Sequence, residues 1–321
     1  MRVLITGITG FVGSHLADYL IENQPKARIF GIKRWRSPKD NIKHILDRVE
    51  LHDCDLLDAP SLIMALRKVK PDVIFHLAAQ SFVTMSYQAP INTIDINTIG
   101  TVNLLEAIRI NKQNPVIHVC SSSEVYGQVT KKDLPIKEDC PLRPVSPYGV
   151  SKVGEDMAAF MYHEAYGLKT IRTRMFTHSG PRRGEVFVDS FFSLQVARIE
   201  AGLQKPVIKV GNLDSVRTFC DVRDTVRAYW LLTKLCKPGE VYNIGGSITM
   251  TIREMLKLLL KMTTYKGRIK IEQDPELIRP ADVTLQIPSS AKFKKRTNWK
   301  PEIPYKDTLL DMLNYWRVLV S

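Results

Sequence analysis

Short, unbroken apolar runs alternate along the first half of the chain with longer stretches in which apolar residues recur every three or four positions. The runs Arg2–Thr6, Arg28–Ile32, Val49–His52, Val73–Leu77, Val116–Cys120 and Thr170–Arg174 read as strands buried on both faces. Between them Ser61–Lys68, Thr98–Asn111 and Tyr148–Tyr166 carry the helical period, as do Leu16, Tyr19 and Leu20 after the first run. This alternation predicts an α/β fold, a Rossmann-like, doubly wound parallel sheet with helices on both faces. Beyond about Phe176 the period loosens, and Pro181 and Pro206 interrupt it. A smaller, discontinuous C-terminal substrate-binding domain is therefore expected at 177–217 and 247–321, joined to a nucleotide-binding domain at 1–176. Asp221–Thr233 and Val241–Ile244 read again as helix then strand, so 218–246 is expected to return to the main sheet.

The first strand runs into Gly7-Ile8-Thr9-Gly10-Phe11-Val12-Gly13 and then a helix. Glycines so placed permit a tight turn at Gly7, let backbone N–H groups approach a pyrophosphate at Gly10, and allow close helix packing at Gly13. The spacing is G-x-x-G-x-x-G, and its placement after the first strand favours nucleotide binding over an ordinary turn. A site that bonded the 2′-hydroxyl of NAD would carry an acidic residue just past the second strand, where Lys33, Arg34 and Arg36 stand instead. Guanidinium groups there suit the 2′-phosphate of NADP; the alternative is a solvated basic loop.

Further along stand Ser122-Ser123-Glu124 and Tyr148-Gly149-Val150-Ser151-Lys152. Tyr148 and Lys152 are four residues apart, so on a helix they share a face. A phenol with a pKa of about 10 is a poor base at neutral pH, and a neighbouring ammonium is expected to lower it. A serine hydroxyl completes a proton-transfer set for redox chemistry. Glu124 is either a second acid–base or a carboxylate that bonds local backbone N–H groups.

Composition narrows the picture. The 321 residues can build substantial cores, and Met1 leads directly into a strand with no charged, apolar leader, so a cytoplasmic location is expected. No apolar run approaches a membrane span. The five cysteines are scattered without a C-x-x-C pair, and the seven histidines lack ligand spacing, so neither a disulfide framework nor a metal site is expected. The formal charge of +13 is dispersed; its densest run, Lys292-Phe293-Lys294-Lys295-Arg296, reads as a solvated helix face. No nucleic-acid motif accompanies it.

With the glycine loop, Asp55-Leu56, Leu77-Ala78-Ala79-Gln80-Ser81, Ser146-Pro147-Tyr148-Gly149 and Lys152 in place, the chain resembles, nearly end to end, the extended short-chain dehydrogenase/reductase family in its nucleotide-sugar branch. Two groups within it are most similar, the GDP-mannose 4,6-dehydratases and the GDP-6-deoxy-4-keto-mannose reductases that act next towards GDP-rhamnose. Lys33–Ser37 with Asn41-Ile42 and His44–Leu46, Phe176–Gly184, and Ala79–Val83 resemble the dehydratases. Gly10–Gly13, Ile208–Leu213 and the short chain resemble the reductases, and Ser122 stands where the dehydratases usually have threonine.

The resemblance implies NADP as cofactor, contacted by Gly7, Thr9, Gly10, Phe11, Val12, Gly13, Arg34, Asp55, Leu56, Leu77, Ala78, Ala79, Ser81, Tyr148, Lys152, His178 and Arg183. It implies Ser122, Glu124, Tyr148 and Lys152 as the catalytic set, and Ser81, Ser122, Glu124, Phe187, Val188, Arg217 and Arg279 as the surface for a GDP-sugar; for each of the two arginines a surface salt bridge is the competing reading. A homodimer or homotetramer is expected, with no nucleic-acid or membrane partner. The reaction is either a 4,6-dehydration by internal hydride transfer or an NADPH-consuming ketone reduction. A non-catalytic nucleotide-binding or nucleic-acid-binding role remains as a remote third possibility.

Overall fold

A computed structural model describes the whole chain, Met1–Ser321. Its main sheet is built from β1 (Arg2–Thr6), β2 (Arg28–Lys33), β3 (Val49–Asp53), β4 (Val73–His76), β5 (Val116–Ser122) and β6 (Lys169–Met175). The remaining strands are β7 (His178–Ser179), β8 (Val207–Val210), β9 (Val216–Asp221), β10 (Val241–Ile244), β11 (Ile248–Thr251), β12 (Lys270–Gln273) and β13 (Leu285–Gln286). The order β10-β6-β5-β4-β1-β2-β3 is parallel throughout. β1 and β4 are buried along almost their whole lengths, as parallel strands covered on both faces must be.

The helices are α1 (Phe11–Asn23), α2 (Ala59–Val69), α3 (Val83–Gln88), α4 (Pro90–Ile94), α5 (Gly100–Ile110), α6 (Pro147–Tyr166), α7 (Val188–Glu200), α8 (Val222–Leu235), α9 (Ile252–Leu260), α10 (Ala291–Thr297) and α11 (Tyr305–Val320). On one face of the sheet Leu16 and Leu20 of α1 pack with Val226, Tyr229 and Trp230 of α8. On the other, Leu62 and Leu66 of α2, Leu104 and Ile108 of α5 and Tyr162 of α6 form a second core. A third core, beyond the sheet, joins Phe192 of α7, Ile208 of β8, Phe219 of β9, Met255 of α9 and Leu309 of α11. The chain returns from this third unit through α8 and β10, whereas β9 stays in a small sheet with β7, β11 and β13.

One expectation needs correction. The stretch read as a single helix over Thr98–Asn111 begins earlier and is interrupted by a π turn at Asp95–Ile99 between α4 and α5. The extra residue in that turn aims Asn97 inward: its Oδ1 accepts from Gln80 N at 2.8 Å, and its Nδ2 donates to Gln80 O and Ser151 Oγ, both at 2.9 Å. Tertiary hydrogen bonds thus override the local period. The basic run falls on α10, where Phe293 is buried and Lys292, Lys294, Lys295 and Arg296 face outward.

Candidate active site

The chain enters the main sheet at its middle, pairs β1 with β2 on one side and later β4 on the other, and leaves a crevice at the carboxyl ends of these strands. A cleft of about 1250 Å³ opens there and extends to the third core. Apart from Arg36, each residue singled out from the sequence as catalytic, cofactor-binding or substrate-binding lines it.

At the β1 end the wall is backbone. Gly7 has φ +71°, a left-handed value, and a Cβ on it would come within 3.0 Å of Ala78 Cα. A Cβ on Gly13 would approach Gly7 O to 2.3 Å, so the helix could not start where it does. Gly10 caps α1 without a side-chain bond, which leaves first-turn N–H groups directed at the cleft for an anion. The Thr6 hydroxyl accepts from Leu77 N and Ala78 N, both at 3.1 Å, and so donates its own hydrogen to His76 Nδ1 at 2.9 Å. The other ring nitrogen, Nε2, then donates to Thr101 Oγ1, and burial pushes the His76 pKa down to about 3, keeping the ring neutral. This chain of bonds fixes the Leu77–Ala79 side of the cradle, and the glycine geometry fits a dinucleotide pyrophosphate.

Of the three cations expected to meet a 2′-phosphate, the fold leaves one in position. Arg34 is exposed and lines the cleft, with Ser37 beside it. Lys33 is buried and its ammonium is held by Asp53 at the end of β3, while Arg36 lies outside the lining and stacks 4.6 Å over Trp35. Both are corrections: β2 is buried on both faces from Ile29 to Lys33, which takes in the first, and an aromatic neighbour stacks with the second. Asp55 accepts from Leu57 N at 3.0 Å, and Leu56 is buried.

Ser122 ends β5 and caps the short 3₁₀ turn Ser123–Tyr126, its Oγ accepting from Glu124 N at 3.2 Å. Ser146 caps α6, accepting from Gly149 N at 3.0 Å, and Pro147 opens the first turn. That start delivers Tyr148 to the cleft beside Ser122, with Lys152 one turn behind. Lys152 Nζ donates at 2.6 Å both to Cys120 O and to Glu155 Oε2. Burial works against this ammonium, but the Glu155 carboxylate outweighs it and holds the pKa above the usual lysine range. Burial likewise raises Tyr148 above an ordinary phenol, opposed by Lys152 and by a hydrogen bond from Ser122. The expected lowering is therefore present as a contribution and is outweighed, because the phenol is desolvated and Glu155 compensates the lysine charge.

Towards the third core, His178 stacks on Phe11 with centroids 5.8 Å apart, and burial next to Arg183 pushes its pKa down to about 4. Arg183 pairs with Asp189 at 3.0 Å and lies 4.5 Å over Phe187, which meets Phe82 edge-on. Ser81 and Val188 are on the exposed rim. Beyond them Arg217 and Arg279 approach one carboxylate oxygen of Asp282, at 3.5 and 3.9 Å, while its other oxygen accepts from Asn212 and Ser215. Burial pulls the Arg217 pKa down, and Glu124 and Asp282 oppose that pull. Glu124 itself accepts from Gln286 Nε2 at 2.8 Å.

Glu155, Asp282 and Gln286 escaped sequence reasoning. Glu155 had a signal, three residues after Lys152 on the same helix face. Asp282 and Gln286 had none, because their partners lie far away in the chain.

A glycine-rich cradle at the switch point of a parallel sheet, facing a serine, tyrosine and lysine on β5 and α6, defines the short-chain dehydrogenase/reductase class in its extended, two-unit form. Residues 4–312 match the family model described as GDP-mannose 4,6 dehydratase, and the chain belongs to that family. It is 33% identical to the GDP-mannose 4,6-dehydratase of Yersinia enterocolitica over 97% of this chain and 92% of that protein. It is equally, 33%, identical to the GDP-6-deoxy-D-mannose reductase of Pseudomonas aeruginosa, over 98% and 97% of the two chains. Among solved structures, RMD from Pseudomonas aeruginosa complexed with NADPH superposes with a TM-score of 0.86 at 33% identity, over 99% of both chains.

Proposed function

We propose that the protein is a lyase, an NADP-dependent 4,6-dehydratase that converts GDP-mannose to GDP-4-keto-6-deoxy-mannose. The observation that carries this reading is that Glu124 lines the same cleft as Ser122, Tyr148 and Lys152, between Arg34 at one end and Arg217 and Arg279 at the other. A dehydration needs a second acid–base beside the tyrosine; a simple ketone reduction does not. The glycine cradle, with Arg34 at the 2′-phosphate, would hold NADP, which would supply the acceptor and donor of hydride for the sugar carbons.

Tyr148 takes the C4 hydroxyl proton as the C4 hydride departs, and Ser122 bonds the same oxygen and holds it in place. The new ketone acidifies C5–H. Glu124 removes that proton and delivers it to the C6 hydroxyl, which leaves as water. When hydride reaches C6, C5 takes up a proton equivalent to the one removed from the C4 oxygen, so one water is lost and the redox change is zero. Arg217 and Arg279 bind the diphosphate, with guanidinium forks suited to its oxygens. The enzyme works in the cytoplasm as a homodimer or homotetramer, without nucleic-acid or membrane partners; no helix is long and apolar enough to cross a membrane.

A second reading, an NADPH-dependent GDP-4-keto-6-deoxy-mannose reductase, is favoured by the Pseudomonas reductase being as similar over the full length as any dehydratase reported above. Incubation with GDP-mannose and a trace of NADP, followed by mass analysis, separates the two. The dehydratase yields a product lighter by one water with cofactor unchanged. No water loss, with one NADPH consumed per supplied 4-keto sugar, selects the reductase.

A further inference from the structure

Glu124 is held from the far side of the cleft by a residue that the reaction scheme leaves without a role. Gln286 lies on the two-residue strand β13, in register with Arg217 on β9, and is 3% exposed. Its Nε2 is 2.8 Å from Glu124 Oε1, across 162 residues of chain. A carboxamide sealed from water and directed at one carboxylate is costly unless that bond is made. We infer that Gln286 is the positioning residue for the Glu124 carboxylate, acting through it in both of its protonation states; this rests on the dehydratase reading.

The chemistry explains why an amide stands here. Glu124 must first accept a proton and then release it. A lysine or arginine bonded to it in place of Gln286 could only donate. The Gln286 amide donates through Nε2 to the carboxylate and, turned about its broad terminal torsion, accepts through Oε1 from the carboxylic acid. Its geometry therefore survives the proton cycle. Pairing of β13 with Val216–Arg217 places this amide beside the guanidinium assigned to the diphosphate, so sugar-nucleotide binding and aim of the carboxylate share one support. The titratable groups whose electrostatics reach Glu124 are Arg217 on β9 and Tyr87 on α3; Arg279 and Asp282 before β13 and Tyr148 on α6 line the same cleft.

The test is a cycle of Gln286→Leu, Glu124→Gln and the double variant, assayed for water loss from GDP-mannose. Gln286→Leu should lower kcat by roughly tenfold or more while leaving KM and NADP affinity within about threefold. In the Glu124→Gln background it should add nothing. Gln286→Glu, nearly isosteric, covers the case in which the leucine variant does not fold: it replaces the donor facing the carboxylate with a second acceptor, so kcat should again fall with KM little changed. A native kcat in these variants, an additive loss in the double variant, or a collapse of NADP binding overturns the inference while native dehydration stands. If the native protein releases no water, the dehydratase reading falls first and the inference falls with it.

Discussion

At the Gly7–Gly13 end of the cleft the wall is main chain, whereas at the Arg217–Asp282 end it consists of long charged side chains that hold one another across short strands. The first end tolerates almost no added atom, because each glycine faces backbone. The second can re-pair: Asp282 sits where two arginines converge, so on the proposed reading a diphosphate would compete with a resident carboxylate. Fixed backbone at one end holds a shape that only small residues allow, while paired side chains at the other can change partners without moving the main chain. Histidine distribution follows the same division. Six of the seven, from His15 to His163, lie in the nucleotide-binding part, and none follows His178.

Tyr148 stands where the two ends meet, and its loss should show the largest effect. Tyr148→Phe keeps the ring and its packing but removes the oxygen, so turnover should fall by about two to four orders of magnitude with both ligands still bound. Near-native turnover in the purified variant would exclude it as the base.

Gly13→Ala tests the rigidity of the backbone end. The new methyl meets Gly7 O at 2.3 Å, so NADP affinity should drop by roughly a hundredfold and stability by about 1–3 kcal/mol, while GDP binding at the other end changes little. Calorimetric titration with each ligand separately reads this; equal losses would mean the two ends are not independent.

Arg34→Ala is the side-chain counterpart at the same end. Removing one charge-assisted bond should weaken NADP by about 1.5–3 kcal/mol and NAD hardly at all. Parallel losses for both would reduce Arg34 to a support for the loop.

The least local effect is expected from pH, which acts on stability rather than on one ligand. Burial holds His76 and His118 at about 3, so below their unfolded value of 6.5 the unfolded chain binds protons that the native one does not. Their contribution is complete above pH 6.5 and is lost as pH falls towards 3, by roughly 2 kcal/mol each by pH 5. Hydrogen exchange at pH 7 and pH 5 should show protection falling first in the strands β4 and β5 that carry these rings. Uniform loss across the third core as well would erase the distinction between the two parts.

Much of the cofactor end was legible from spacing alone, since the glycine triplet falls within one loop and Tyr148 and Lys152 within one helical turn. Legibility failed where a local pattern met a distant partner. Lys33 looked free for a phosphate until β3 brought Asp53 beside it, and the helix read at Thr98 hid the π turn that points Asn97 at Gln80 and Ser151. Tyr148 looked like a phenol made acidic by Lys152, but Glu155 and burial reversed the balance.

Periodicity and composition were enough to expect the parallel sheet, the glycine loop and the helix carrying tyrosine and lysine, because apolar runs, glycine spacing and helical period are written in local segments, although the strands themselves pair across distant ones. Folding alone could bring Gln286 to Glu124, Asp282 to Arg217, and Lys33 to Asp53. Those meetings depend on which strands become neighbours and which faces are desolvated, and burial is a property of the assembled cores rather than of any segment within them.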